Sequence, residues 1–297
     1  MEVTFESLGL SEAMLKALEK KGYGYPTTIQ AEAIPQFMQW KDVIAKAPTG
    51  TGKTFAFGIP MIEHIDPESE AIQGLILAPT RELAIQIGDE LRGLLTFYQN
   101  IRVAVLYGGA SIGPQIKALE RKPQIVVATP GRLMDHYNHK TIRLDKIQTV
   151  VLDEADRMLD MGFFKDVTRI IEKVKNRKNL GLFSATISQE VMTVSWMYQR
   201  DEVEITVEPK QEDRPDIDQY SLSCLGSTVI STSSRWYIQE TVITSWEMVA
   251  ENKPRFLRFL TFSIILVTSL KKPISSMRSA SSSTTVWILS RRIFLRL

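Results

Sequence analysis

Short apolar runs recur between residues 43 and 207, separated by longer stretches in which apolar positions return every three or four residues. The runs are Val43–Ala47, Gly74–Ala78, Ile101–Tyr107, Ile125–Ala128, Val150–Leu152, Leu180–Phe183 and Val203–Val207. Several carry β-branched residues without strict alternation, the pattern of strands covered on both faces of a parallel sheet. The intervening segments read as helices. In Arg81–Leu95, the side chains of Leu83, Ile87, Leu91 and Leu94 fall on one face at helical spacing. An earlier helix runs from Ser11, a fitting N-cap, to Gly22, a fitting stop. Pro60 should kink or end the helix that follows the first strand. Strand–helix alternation on this scale predicts an α/β fold, a parallel sheet with helices on both faces.

After about residue 210 the rhythm stops. Residues 225–297 hold 14 Ser, 8 Thr, three of the five Trp, no Asp and a single glycine, Gly226. They carry ten Lys/Arg against three Asp/Glu, whereas residues 1–224 carry 26 against 31, so the net charge of +2 hides two pieces of different chemistry. Phe259–Leu270 is uncharged but, at 12 residues, well short of the roughly 20 that a spanning helix needs, so no stable membrane association is expected. The whole chain, 297 residues with 44% hydrophobic and 24% charged, has the composition of a globular protein rather than a collagen-like, coiled-coil or wholly disordered one. One cysteine, Cys224, rules out an internal disulfide framework and fits a reducing compartment. The first ten residues carry acids where an export signal would carry bases. The expected setting is cytoplasmic.

Two stretches carry recognisable chemistry. Ala47-Pro-Thr-Gly-Thr-Gly-Lys-Thr54 follows the first strand and opens a helix. A phosphate-binding loop needs small residues so that backbone N–H groups can curl round phosphate oxygens, a lysine for the β and γ phosphates, and a hydroxyl for magnesium. Gly50 and Gly52 supply the loop, Lys53 the charge and Thr54 the hydroxyl, although Ala47 stands where the general pattern has glycine. Asp153-Glu-Ala-Asp156 directly follows the run Val150–Leu152. An acid at the end of a buried strand is costly unless it holds a cation, which places Asp153 to hold hydrated magnesium. Its neighbour Glu154 is placed to orient or deprotonate an attacking water. The motifs follow apolar runs, and ligands of open parallel sheets gather outside the carboxyl ends of the strands.

In order along the chain stand GYGYPTTIQ (22–30), APTGTGKT (47–54), PTRELA (79–84), TPGR (129–132), DEAD (153–156) and SAT (184–186). Over roughly residues 4–220 the sequence resembles the N-terminal RecA-like domain of a DEAD-box RNA helicase, and Ala47 is the form that family uses. The resemblance implies a RecA-like fold, ATP and Mg2+ as cofactors, and RNA as partner. It assigns nucleotide binding to Phe5, Gln30, Thr49, Gly50, Thr51, Gly52, Lys53 and Thr54, metal binding to Thr54 and Asp153, and catalysis to Lys53, Asp153 and Glu154. Gln30 would read adenine through its carboxamide and Phe5 would stack on the same ring. RNA would meet Pro79, Thr80, Arg81, Gly108, Gly109, Thr129, Gly131 and Arg132, while Asp156, Ser184 and Thr186 would couple hydrolysis to strand opening. Arg81 and Arg132 stand at helix starts, where a cation opposes the macrodipole unless a phosphate binds there too. The negative balance of residues 1–224 leaves RNA binding to local helix N-termini and a few arginines.

The same resemblance implies a second lobe carrying arginine fingers in a pattern like HRxGRxGR and an ARGxD motif. Neither occurs in residues 205–297. The expected organisation is a RecA-like ATP-binding domain over 1–210, the start of an interlobe linker over 211–224, and an anomalous, poorly structured Ser/Arg/Leu-rich tail over 225–297, such as out-of-frame translation would produce. Three functions follow: an ATP-dependent RNA helicase by family, a lobe that holds nucleotide and RNA without turnover, and a tail-anchored interaction protein. His136 and His139 read as surface residues, and Trp40 and Trp196 as packing residues.

Overall fold

The structure is a computed structural model that describes residues 3–208 throughout and, beyond them, only the backbone of five short strands. Contacts divide the chain into two units, Met1–Pro209 and Lys210–Leu297. The first unit opens with helices α1 (Glu12–Lys20) and α2 (Thr28–Met38), and Ser11 caps α1 as its sequence implies, accepting from the Met14 N–H at 3.3 Å. Strand and helix then alternate: β1 (Val43–Lys46), α3 (Lys53–Glu63), β2 (Gly74–Leu77), α4 (Arg81–Leu94), β3 (Val103–Leu106), α5 (Ile112–Glu120) and β4 (Ile125–Ala128). There follow α6 (Pro130–Asn138), β5 (Thr149–Leu152), α7 (Ala155–Met158), α8 (Phe164–Lys173), β6 (Asn179–Ser184), α9 (Gln189–Tyr198) and β7 (Val203–Thr206). All seven apolar runs are strands of one parallel sheet, in the order β3-β4-β2-β5-β6-β1-β7.

Successive residues of a strand point to opposite faces, and the core divides accordingly. Val43, Ala45, Ile76, Val127, Val151 and Phe183 join one cluster, covered by α1 to α4. Ile44, Leu75, Leu77, Val126, Val150, Leu152 and Leu182 join the other, under the helices from α6 onward. Both faces are therefore dry along the inner strands β2, β4, β5 and β6, which is why those strands lack alternation.

Several details differ from the sequence reading. Pro60 does not end α3, which continues to Glu63 with Pro60 buried. Tertiary burial of the whole Phe55–Ile62 stretch outweighs the one hydrogen bond that a proline removes. The buried stripe of α4 is Ala84, Ile87, Gly88, Leu91 and Leu94, with Leu83 only half-covered. Gly88 lets the helix approach Val105 of β3 so closely that a Cβ there would meet the Val105 methyl, which turns the helix by about one position. His136 is wholly buried rather than at the surface, whereas His139 is exposed. Trp40 packs, stacked on His64 at 3.7 Å between ring centres. Trp196, by contrast, is 66% exposed, because it lies on the outer side of α9 away from Val191 and Val194.

In the second unit the described backbone forms β8 (Asp218–Leu222), β9 (Trp246–Ala250) and β10 (Arg258–Phe259), an antiparallel sheet in the order β10-β9-β8. A separate antiparallel pair joins β11 (Thr285–Leu289) to β12 (Arg292–Arg296). Strand β8 lies in the expected linker, and β9 to β12 lie in the expected tail. The remainder of the expected linker and tail, including nearly all of Phe259–Leu270, lies outside the described residues. Among the described residues no helix is long and apolar enough to cross a membrane.

Candidate nucleotide and nucleic-acid site

Each motif from the phosphate loop onward begins at or just beyond the carboxyl end of a strand, so one rim of the sheet collects them all. The sheet order then sorts them. The loops after β3, β4 and β2, which are adjacent strands, carry Gly108–Gly109, Thr129–Arg132 and Pro79–Arg81. The loops after β5, β6 and β1, also adjacent, carry Asp153–Asp156, Ser184–Thr186 and Ala47–Thr54. The rim thus has two halves that meet where β2 borders β5.

In the phosphate-loop half, Gly50 and Gly52 take φ of 86° and 88°, the left-handed region that glycine enters without penalty. The loop is filled by its own side chains. Lys53 is buried and its Nζ donates to the Ala47 carbonyl at 2.8 Å, while Thr51 Oγ1 donates to the Pro48 carbonyl at 2.8 Å. Thr49 and Gly50 face solvent and Thr54 is half-buried. Helix α2 supports the loop from below: Thr27 Oγ1 donates to the Thr51 carbonyl at 2.9 Å, and Gln30 Nε2 to the Gly52 carbonyl at 3.0 Å. Gln30 Oε1 accepts from the Thr27 N–H at 3.0 Å. The carboxamide keeps one N–H and one lone pair beyond those bonds. Phe5 is 3% exposed and belongs to the core, so its ring faces are covered rather than presented for stacking.

At the end of β5, the Asp153 N–H donates to the Leu77 carbonyl at 3.0 Å and the side chain is buried. Burial pushes the Asp153 carboxyl up to about 6, against the pull of the Lys53 ammonium and of the Glu154 N–H that it accepts at 3.0 Å. Glu154 holds a left-handed backbone, φ 48° and ψ 51°, which costs a non-glycine residue about 1 kcal/mol or more. That turn swings its carboxylate away from the strand line, to meet Arg157 at 3.1 Å.

Three residues expected to couple hydrolysis with strand opening are in direct contact. Asp156 accepts from the Thr186 N–H at 2.9 Å and from Thr186 Oγ1 at 2.6 Å, while its own N–H donates to Ser184 Oγ at 3.1 Å. Partial burial works against ionisation of Asp156, yet the bonds from Thr186 and Ser184 outweigh it and hold the carboxyl below its usual range. The β6 loop is in turn tied to the phosphate loop, since the Ala47 N–H donates to the Ser184 carbonyl at 2.9 Å.

In the other half, Thr80 caps α4 by accepting from the Leu83 N–H, and Thr129 precedes α6 with Pro130 in its first turn. The two arginines differ in setting, Arg81 being exposed and Arg132 half-buried. The Arg81 guanidinium lies 4.8 Å from the Tyr107 ring centre, a cation–π distance. The Arg132 side chain is 11% exposed and donates to the Ala110 carbonyl at 3.0 Å. Its Nε and Nη1 are buried without a hydrogen-bond partner, and Asp135 stands 3.6 Å from Nε. Gly109, with φ of 74°, lets the intervening loop turn.

Sequence reasoning missed Gln115 and the role of His136. Both are buried and both bond toward Tyr107, Gln115 directly and His136 through Gln115. The available signal was slight: an amide at an inward position of α5.

A parallel α/β sheet with a glycine-rich phosphate loop and an acidic strand end on one rim is the architecture of P-loop nucleotide-binding domains. Comparison with known proteins narrows this class. The family model described as DEAD/DEAH box helicase matches residues 27–194, and the chain belongs to that family. The DEAD-box ATP-dependent RNA helicase CshA of Bacillus cereus (strain ATCC 10987 / NRS 248) is 45% identical over 219 residues, covering 74% of this chain and 42% of that protein. The ATP-dependent RNA helicase CshA of Limosilactobacillus reuteri is 47% identical over 216 residues, covering 73% and 43%. Among solved structures, a DEAD box protein from the hyperthermophile Methanococcus jannaschii matches with a TM-score of 0.66 at 43% identity, over 69% of this chain and 56% of that one. The chain spans about two fifths of the length of these two helicases.

Proposed function

We propose that residues 1–210 form the ATP- and RNA-binding lobe of an ATP-dependent RNA helicase working in the cytoplasm, with 211–224 leading toward a second lobe. The observation that carries this reading is the division of one rim into two adjoining halves, which meet where the Asp153 N–H at the end of β5 donates to the Leu77 carbonyl of β2.

Apart from Phe5, whose ring is covered by the core, each residue then has a task. The free N–H and lone pair of Gln30 match the N7 and N6 of adenine, and guanine offers no such donor at that edge. Lys53 turns from the Ala47 carbonyl to the β and γ phosphates, exposing the N–H groups of Thr49 to Thr54. Among the described residues no group of three or more acids, histidines or cysteines could cage a metal. A single buried carboxyl with the Thr54 hydroxyl suits magnesium, which keeps its waters and takes few protein ligands. When bound, the ion supplies positive charge to the phosphoryl oxygens. Glu154, placed by its left-handed turn, orients a water. On the other half, the starts of α4 and α6 offer N–H groups to a phosphate, and Arg132 adds its positive charge beside them. Thr80, Thr129, Gly108, Gly109 and Gly131 let a backbone approach closely.

Unwinding requires two lobes closing on one strand, and an arginine finger adds about 10³–10⁵ in turnover. Residues 205–297 contain neither the finger pattern nor its companion motif. These 297 residues alone should therefore bind without opening a duplex. Fluorescent-nucleotide titration should show ATP or ADP preferred over GTP, with Gln30→Ala removing the preference and Lys53→Ala removing binding. Equal affinity for adenine and guanine nucleotides would take Gln30 out of the site. RNA-stimulated ATP turnover at about 1–100 per second, with strand release, by the purified chain would overturn the separation of binding from unwinding.

A further inference from the structure

Strand β3 is the edge of the sheet, so one side of its backbone lacks a neighbouring strand. At Tyr107, the residue that follows it, a side chain takes that neighbour's place. Gln115 of α5 accepts from the Tyr107 N–H at 3.2 Å through Oε1 and donates to the Tyr107 carbonyl at 3.1 Å through Nε2, pairing with both backbone groups as a strand would. The same Nε2 lies 3.4 Å from the Ser111 carbonyl, just past Gly108 and Gly109. The amide is buried, and its orientation is fixed because an acceptor must face the Tyr107 N–H. His136 Nε2 lies 3.4 Å from Oε1, and its Nδ1 lies 2.8 Å from the Thr141 hydroxyl, which itself donates to the His136 carbonyl at 3.0 Å. Gln115 thus joins α5, the end of β3 and α6. The Tyr107 ring, held by this pairing, supports the Arg81 guanidinium of the loop after β2, and Arg132 of α6 closes the circle on Ala110.

We infer that Gln115 is a positioning residue for RNA: by pinning the Tyr107 backbone it sets the place of Arg81 and the Gly108–Gly109 turn, and so aligns the three RNA-facing loops. The inference rests on the RNA-binding reading above. It requires no contact between Gln115 and RNA. It assigns the effect to two hydrogen bonds, not to the volume of the side chain.

The test uses the full chain, a 5′-fluorescent single-stranded RNA read by anisotropy at low salt with ATP and magnesium present, and a fluorescent adenine nucleotide as control. Gln115→Met keeps the volume and loses both bonds. It should weaken RNA binding roughly five- to tenfold, the scale of a broken buried hydrogen-bond pair, while nucleotide affinity on the other half of the rim stays within about twofold. Amide exchange over residues 103–110 should quicken while exchange over 47–54 does not. Because part of the effect runs through Arg81, Gln115→Met should cost less RNA affinity in the Arg81→Ala background than in the unmutated chain. RNA affinity unchanged in Gln115→Met, or losses that multiply in the double variant, would overturn the inference. So would unchanged exchange at 103–110. An unmutated chain with no RNA affinity would instead bring down the RNA-binding reading itself, and the inference with it.

Discussion

At the end of β5 the chain buries a carboxyl that its own groups only partly satisfy. Asp153 accepts one backbone N–H and feels Lys53, yet burial still raises it to about 6. Between pH 4 and 6 the folded state holds this proton and the unfolded state does not, so stability falls as pH rises through that window and stays lower above it. The shift corresponds to about 2–3 kcal/mol. Asp153→Asn keeps an acceptor for the Glu154 N–H and removes the charge. In chelator at pH 7 it should unfold at higher denaturant than the unmutated chain, with the gap closing near pH 4. With ATP present it should lose the magnesium-dependent part of the nucleotide's stabilisation. A variant less stable than the parent at pH 7 would mean that Lys53 depends on this carboxylate more than burial opposes it. Residues such as Lys53, Asp153 and Arg132 were legible in the sequence because their motifs are local. Gln115 and His136 were not, because what they do is defined by a strand end and helices brought together from separate parts of the chain.

Among the elements, β6 shows how closely helix and sheet are fitted. Gly181 faces the Phe37 ring of α2 so tightly that an added Cβ would collide with Phe37 and press on Phe183. Gly181→Ala should cost about 1–3 kcal/mol, the range for overfilling a packed core, read by urea unfolding. Because α2 also carries Gln30, the variant should show a weaker preference for adenine nucleotides. Unaltered stability would show that α2 can lift from the sheet freely. The inner strands could be read from the sequence almost to the residue, since strands dry on both faces are written as apolar runs. The edge strands β3 and β7 instead alternate covered and more open positions. Helix faces were less legible: the rotation of α4 depends on Gly88 meeting Val105, and the passage of α3 through Pro60 depends on burial that no local rule contains.

For the molecule as a whole, the two core clusters among the described residues are built from Met1–Pro209. A fragment of residues 1–209 should therefore unfold in one cooperative transition and match the full chain in nucleotide affinity. A fragment that binds ATP much more weakly would show that later residues contribute to the site. The sheet order has a further bearing on how the molecule is made. β1, which carries the phosphate loop, borders only β6 and β7, and its partner Asn179–Ser184 lies on the order of 130 residues downstream. At about 5–20 residues per second, a nascent chain spends many seconds with this strand finished and unpaired, while β2, β3 and β4 already have one another. The phosphate loop is thus among the last parts of the sheet to be anchored during synthesis. A ribosome that stops short of β6 releases a chain whose RNA-facing strands can pair but whose phosphate loop has nowhere to sit.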